Sequence, residues 1–184
     1  MKLEEIADIK QGIPLSRIKL TDGMDTEDRV VYSFEEESTV KVPKNINEVD
    51  QNIPLVKKDM ILFNLMSYNA RKAGKEDMGK IIPSSYVKIV LKDYSVDIDY
   101  LAWYIDQSQI FQRELFKIIQ GTTVLSLPIN EFRQMKIKLP DLSFQKKLGS
   151  ISELSKKRKK LFLEREELLN KSLVTINEEE LLNG

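Results

Sequence analysis

The sequence contains no cysteine and no histidine. Without cysteine the chain has no disulfides, no thiolate metal sites and no thiol nucleophile. Without histidine it lacks the commonest general base near neutral pH and the commonest zinc ligand, so serine–histidine and cysteine–histidine catalysis are excluded. Asp, Glu, Lys or Tyr could still perform chemistry, but these absences favour a protein that is not an enzyme.

Long apolar segments are also missing. No run approaches the roughly 18 residues that a membrane-spanning helix needs. Acidic residues interrupt the N-terminal sequence MKLEEIADIK, which therefore does not look like a secretion signal. We expect no membrane association and a cytoplasmic location.

The chain has no excess of either charge, with 29 basic and 29 acidic residues. Dedicated DNA-binding domains often carry a basic excess, so this balance argues against tight autonomous DNA binding while leaving room for a local basic surface. The seven glycines form neither a G-x-G cofactor turn nor a phosphate-binding loop. No Asn/Asp-Pro-Pro-Tyr/Phe segment is present either. The sequence thus predicts neither a cofactor nor a metal in this chain.

The apolar pattern predicts an α+β fold with a small mixed or antiparallel sheet. The segment 60–65 is nearly all apolar, which indicates a strand buried on both faces. A helical pattern follows Asp97, a candidate N-cap, and is interrupted near Ser108. Further strands are predicted at 29–34, 39–42, 85–91 and 135–139, and a short helix at 128–133.

The C-terminal segment, about 144–176, is predicted to be one long helix with a half-regular heptad pattern. Its apolar positions are Leu154, Leu161 and Leu168, seven residues apart, and Phe162, Leu169 and Ile176 beside them. The other seam position holds Ile151, Arg158, Arg165 and Ser172. Such a pattern suits an antiparallel or heterotypic helix pair rather than a strong parallel zipper. These leucines would be exposed to solvent unless a partner helix covers them or the helix folds back on its own domain. Both alternatives stay open.

The most basic run, Lys156 to Lys160, lies on this same helix. Five consecutive positions circle a helix, so they cannot all face one partner. Glu164, Glu166 and Glu167 follow closely, and an antiparallel mate could pair the two blocks and set the register. Contact of this run with a DNA backbone is a secondary interpretation.

The segment 120–151 resembles the end of a target-recognition domain in the specificity (S) subunits of type I restriction–modification enzymes. The resemblance lies in a turn at Gly121, the step Leu139–Pro140 and Gln145 at the start of the long helix. Weaker fragments occur in the family's order. They are Leu3–Ile6–Ile9–Gly12, then 58–62 with Lys58 where a Gly is usual, then a strand over 84–91 followed by Asp99–Leu101.

The resemblance implies a target-recognition domain over residues 1–142 and one spacer helix over 143–184. Typical S subunits carry two of each, so this chain looks like a half-subunit. A homodimer through the helix would restore the usual layout and predict a palindromic, bipartite target. The implied partners are double-stranded DNA, a methyltransferase (M) subunit that holds S-adenosylmethionine, and, as an optional addition, a restriction (R) subunit.

On this interpretation the DNA contacts come from polar loops. The segment 57–80 carries six basic and three acidic residues, and Asn, Arg and Lys suit adenine, guanine and phosphate respectively. The turn after residue 120 is a second candidate, although Gly121 could simply end the preceding helix. The predicted DNA-binding residues are Ser67, Tyr68, Asn69, Arg71, Lys72, Lys75, Gln120, Thr122 and Thr123. An early turn with Lys41, Lys44 and Asn45 ranks lower.

Two other functions remain open at this point. A protein–protein adaptor that keeps the scaffold without reading DNA would fit the zero net charge and the single domain. A small hydrolase using Asp97 and Asp99 is the least favoured, because aspartates at a helix start are usually caps.

Overall fold

A computed structural model describes residues 1–20, 22–44, 53–92, 94–120 and 127–183. The strands are β1 (Ala7–Gln11), β2 (Thr26–Val31), β3 (Ser38–Pro43), β4 (Met60–Asn64), β5 (Ala70–Lys72) and β6 (Tyr86–Leu91). The helices are α1 (Leu3–Ile6), α2 (Ile98–Gln107), α3 (Gln109–Gln120), α4 (Ile129–Gln134) and α5 (Leu142–Asn183). Strands precede most of the helices, and the α+β class predicted from the sequence is confirmed.

The main sheet has four antiparallel strands in the order β1–β6–β4–β5, and β2 and β3 form a separate antiparallel pair. β4 is buried at Met60, Ile61, Leu62 and Phe63, as its unbroken apolar run predicts. Side chains alternate along a strand. Phe63 therefore joins the core beneath the helices, and Leu62 joins a second cluster on the opposite face of the sheet.

Aromatic rings join the helices to the sheet on its helix-covered side. Phe63 of β4 stacks on Phe132 of α4 with ring centroids 4.5 Å apart, and Phe111 of α3 meets Phe132 edge-on at 6.3 Å. Tyr104 of α2 contacts Phe111 at 5.7 Å. These contacts fix three helices on one face of the sheet and leave its other face to the β2–β3 side of the molecule.

α2 begins and ends where the sequence predicts. The Asp97 side chain accepts a hydrogen bond from the Tyr100 amide at 2.8 Å, which caps the helix. Ser108 separates α2 from α3, at the position of the predicted interruption.

Three local predictions need correction. The predicted strand 135–139 is wrong, since this segment forms only one isolated bridge, between Lys136 and Lys2. No strand is predicted in the first ten residues, because Leu3, Ile6 and Ile9 have helical spacing, but Ala7–Gln11 form a full strand paired with β6. The predicted strand 29–34 begins and ends earlier, at Thr26–Val31.

α5 spans 42 residues, about 63 Å at 1.5 Å per residue. Only its first turns contact the globular part, and after Glu153 its described side chains are all exposed. It therefore projects away from the domain and does not fold back on it. Within the described ranges, every helix falls short of the combined length and apolar character that a bilayer-crossing segment needs.

The projecting helix is joined to the domain through Gln145, which is only 2% exposed. Its amide nitrogen donates to the Pro140 carbonyl at 2.8 Å, and its amide oxygen accepts from the Asp97 backbone N–H at 3.0 Å. One side chain thus ties the start of α5 to the N-terminus of α2. Gly149, one turn further on, allows the two helices to approach closely.

Replacing Gln145 with Leu is expected to lower the free energy of unfolding by about 1–3 kcal/mol, because two part-buried backbone groups lose their partner. Urea denaturation of the purified chain measures this change. Gln145→Glu keeps the acceptor for Asp97 but places a buried carboxylate against the Pro140 carbonyl, so at neutral pH it should be at least as unstable as Gln145→Leu. Equal stability of wild type and Gln145→Leu would contradict the bridging role.

Candidate nucleic-acid interface

The predicted residues 67–69 form the tip of the β4–β5 hairpin. The Asn64 side chain accepts hydrogen bonds from the backbone N–H groups of Met66 at 2.8 Å and Ser67 at 3.1 Å. The backbone N–H of Asn64 donates to the backbone carbonyl of Asn69 at 2.9 Å. The backbone N–H of Tyr68 donates to the backbone carbonyl of Asn64 at 3.0 Å. The turn is therefore fixed by its own hydrogen bonds.

Tyr68 anchors this turn in an unusual conformation. Its φ is 60°, in the left-handed region that few residues other than glycine adopt. Its ring packs against the main core, while the neighbouring Ser67 and Asn69 are exposed. The turn thus presents an amide and a hydroxyl to solvent from a braced backbone, a geometry that suits hydrogen bonding to base edges.

Arg71 and Lys72 are adjacent in β5 and point to opposite faces of the sheet. The Arg71 guanidinium lies 4.4 Å from the centroid of the Phe34 ring and is exposed. The Lys72 ammonium instead forms an ion pair with Asp99 of α2 at 2.5 Å, on the helix-covered face. The structure therefore keeps Arg71 with the hairpin tip and places Lys72 apart from it; a role for Lys72 on DNA stays a prediction.

The remaining predicted residues are scattered. Lys75 is exposed at the start of a short 3-10 turn, Lys75–Asp77. Gln120 is exposed at the last position of α3. Gly121, Thr122, Thr123 and Asn45 lie outside the described residues. Lys80, counted in the basic segment 57–80, is bound by both Asp77 and Glu37, at 2.8 and 2.5 Å.

The aromatic ring beneath Arg71 belongs to a group that sequence patterns did not reveal. Tyr32, Phe34 and Tyr86 contact one another edge-on, with centroids 5.1–5.7 Å apart. The Tyr86 hydroxyl also accepts from the Phe34 amide at 2.8 Å. Burial, and then the nearby Asp77 carboxylate and Tyr86, raise the pKa of the Tyr32 hydroxyl, so Tyr32 stays uncharged throughout the physiological range. We call these three residues the aromatic layer.

Cross-strand register adds two lysines that the sequence analysis missed. Lys10 of β1 lies opposite Lys88 of β6, Lys88 lies opposite Leu62 of β4, and Leu62 lies opposite Arg71 of β5. Directly paired residues in antiparallel strands share a face. The four residues therefore form one row across the face of the sheet that the helices do not cover.

The six predicted helix-contact residues form one exposed stripe along α5. Leu154, Leu161, Phe162, Leu168, Leu169 and Ile176 are all exposed, between 45% and 67% of their surface. Because each buried leucine contributes about 1.5–3 kcal/mol, a continuous stripe of this length is a strong association surface. We call it the α5 stripe. Pairing through it stays a prediction.

The described ranges contain no cluster of three or more acidic side chains placed to hold a metal ion. They also show no group of carboxylates around Asp97 and Asp99. Asp97 caps α2 and Asp99 pairs with Lys72, so both carboxylates have structural partners.

Neither a scan against protein-family models nor a search of curated proteins finds a match to the sequence. Solved structures do match. The chain superimposes on the S subunit of a type I restriction–modification system from M. genitalium with a TM-score of 0.55 and 14% identity, covering 86% of this chain and 38% of that one. The HsdS subunit from Thermoanaerobacter tengcongensis gives a TM-score of 0.53 and 12% identity, with 86% and 37% covered.

A third match, at TM-score 0.55 and 13% identity, comes from a study of complex assembly and conformational transition in the type I R-M system; it covers 86% of this chain and 38% of that chain. The three alignments show that the chain has the fold of part of an S subunit, consistent with a half-length form. The chain spans less than two-fifths of the length of each neighbour.

Proposed function

We propose that this chain is a sequence-reading module of a type I restriction–modification system that binds one half of a bipartite DNA site and performs no chemistry itself. The observation that carries this proposal is the fold shared with S subunits over 86% of the chain. On this view residues 1–142 read the DNA and residues 143–184 form the spacer helix. Partner M and R subunits, with S-adenosylmethionine held by the M subunit, would supply the catalytic functions.

The β4–β5 hairpin supports the reading role. Asn69 can pair bidentately with adenine and Arg71 with guanine. Both lie at one edge of the sheet, Asn69 on the hydrogen-bonded turn and Arg71 on the adjoining strand β5. Their backbone is already ordered, so little conformational entropy is lost on binding. The stacking of Arg71 on Phe34 restricts the guanidinium in the same way.

The charge distribution of α5 supports self-pairing. Residues 144–160 carry seven basic residues and one Glu, whereas 161–183 carry two basic residues and six Glu. A parallel pair would place like charges side by side, but an antiparallel pair places the basic half of one helix against the acidic half of the other. A second copy of this chain therefore fits the α5 stripe, and the resulting two-fold axis implies a palindromic split site.

Selection of duplexes from a random library by the purified full-length chain, alone and with a co-expressed M subunit, tests the proposal. We expect enrichment of a split site whose halves are inverted repeats. Recovery of unenriched sequences under both conditions would overturn a sequence-reading function.

A protein–protein adaptor is the second candidate. The intramolecular ion pairs of Lys72 and Lys80 favour it, because two lysines of the predicted DNA-contact segment are already paired with carboxylates. The same selection separates the two functions, since an adaptor would retain no duplex while still binding the M subunit.

Asn69→Ala is expected to reduce discrimination between the selected site and a site changed at one base pair by about 1–3 kcal/mol. Competition binding with the two duplexes measures this difference. Because the Asn69 side chain is exposed, the melting temperature should not change. Asn170→Ala, on the far part of α5, is the matched control, and an equal effect of both variants would contradict base contact by Asn69.

A further inference from the structure

Lys10 and Lys88 lie together on the face of the sheet that the helices do not cover, and the positive charge of Lys57 also acts on Lys88. Lys10 and Lys88 are directly opposite in register between β1 and β6. Lys57 belongs to the segment that leads into β4, where its amide donates to the Met60 sulfur at 3.3 Å. Lys10 and Lys57 are exposed, and Lys88 is half-buried.

The electrostatics of Lys88 agree with its position opposite Lys10. Its pKa is lowered from the ordinary lysine value, first by burial and then by the positive charges of Lys10 and Lys57. Among the described residues, none of the three takes part in an ion pair, in contrast to Lys72 and Lys80. Asp8 is two residues from Lys10 on β1 and faces the same side, but it is not ion-paired with either lysine.

An arrangement of this kind is unfavourable in the isolated chain, because like charges repel and one of them is partly removed from water. An anion held between the lysines would offset both effects. Lysine ammonium groups act as point charges that hold phosphate rather than identify a base. The cluster is therefore suited to a polyanion with closely spaced phosphates.

We propose that Lys10, Lys57 and Lys88 form a patch that holds the phosphate backbone of double-stranded DNA beside the groove that the β4–β5 hairpin enters. This inference rests on the proposed function and adds a backbone-contact surface to it. Its position supports the assignment. Lys10 and Arg71 occupy the same cross-strand row, three strand spacings or about 14 Å apart at about 4.8 Å each. This separation is comparable to the major groove, about 12 Å wide.

Between the two ends of this row Leu62 is fully buried, in one cluster with Tyr32 and Tyr86 and packed against Phe34. This buried aromatic cluster separates the lysine patch from Arg71. One side of the face thus holds phosphates and the other reaches base edges, without competition between the two contacts.

The test is the salt dependence of binding to a random-sequence duplex, measured by fluorescence anisotropy with the full-length chain. If the double variant Lys10→Gln with Lys88→Gln loses two phosphate contacts, the slope of log K against log [salt] should fall by about 1.8, at about 0.9 for each contact. Affinity for every duplex should fall by a similar factor. The control is Lys117→Gln with Lys171→Gln, which removes two exposed lysines from α3 and α5 and should leave the slope unchanged.

The outcomes separate this inference from the proposed function. An unchanged slope in Lys10→Gln with Lys88→Gln, or a wild-type chain that binds no duplex, overturns the patch. A reduced slope without sequence enrichment in the selection experiment supports the patch and overturns sequence reading. An unchanged slope in the double variant together with an enriched split site overturns the lysine patch and leaves the sequence-reading function supported. Circular dichroism confirms folding, and neutralising Lys88 should not destabilise the chain because burial already disfavours its charge.

Discussion

Leu161→Glu combined with Leu168→Glu is expected to convert a dimer into a monomer. In a two-fold pair each substitution occurs twice, so four leucines are lost from the buried seam. At about 1.5 kcal/mol or more for each, the loss is about 6 kcal/mol, which raises the dissociation constant by about 10⁴-fold. Four glutamates introduced into the seam add a desolvation cost. Sedimentation velocity over a range of concentrations measures the change.

The helix itself provides the matched control. Leu163 and Val174 are also exposed but lie on the opposite side of α5 from the α5 stripe. Leu163→Glu with Val174→Glu introduces the same charge and removes similar apolar surface, so it should leave the dimer intact. Loss of the dimer in both double variants would indicate general damage to the helix. A wild-type monomer would rule out self-pairing and leave a different chain as the partner.

Charge reversal tests the antiparallel arrangement separately. Changing Lys156, Lys157, Lys159 and Lys160 to Glu makes both halves of α5 acidic, so self-association should weaken, most at low salt. A second variant with lysine at Glu164, Glu166, Glu167 and Glu178 makes both halves basic. A mixture of the two variants should form heterodimers.

Gly149→Leu is expected to separate α5 from the domain and to lower the free energy of unfolding by about 3 kcal/mol or more, the upper range for overpacking. A Cβ atom at Gly149 would lie 2.5 Å from the Asp97 carboxylate and 2.8 Å from the Tyr100 backbone nitrogen. The carboxylate caps α2 and the nitrogen is part of that helix, so neither can move away without uncapping it. Urea denaturation measures the loss.

Two further variants test whether the loss of stability comes from the close contact between Gly149 and α2. Ser150→Leu adds the same side chain at the next, exposed position and should be nearly neutral. Gly149→Ala combines a smaller clash with a gain of about 1 kcal/mol in helix propensity, so its net loss should be clearly less than that of Leu. If Gly149→Leu is as stable as wild type, the close contact between α2 and α5 is not part of the folded state in solution.

The strands and helices that the sequence predicts well are those defined by local patterns. The apolar run in β4, the cap at Asp97 and the interruption at Ser108 depend on neighbouring residues alone. β1 was missed because Leu3, Ile6 and Ile9 have helical spacing, while its strand form depends on pairing with β6, about 80 residues away. The segment 135–139 has strand-like composition, but only Lys136 finds a bridge partner.

The residues of the candidate interface also fall into two groups, those that the sequence predicts and those that depend on the fold. Asn69 and Arg71 could be proposed from their residue types and from a loop between two apolar segments. That Lys72 is paired with Asp99, while Lys88 is placed beside Lys10, depends on side-chain direction and strand register, which a single sequence does not contain. The α5 stripe was visible in the sequence because heptad spacing is itself a local property.

The only tryptophan lies on α2, the helix that Gly149 contacts, so its fluorescence can report on the contact between α2 and α5. Trp103, the only tryptophan, is half-buried on α2, with its ring 5.9 Å from that of Tyr100, whose backbone nitrogen faces Gly149. Its fluorescence should therefore respond when the long helix changes its tilt against the domain. Emission recorded during titration with DNA or a partner subunit would follow that movement without an attached dye.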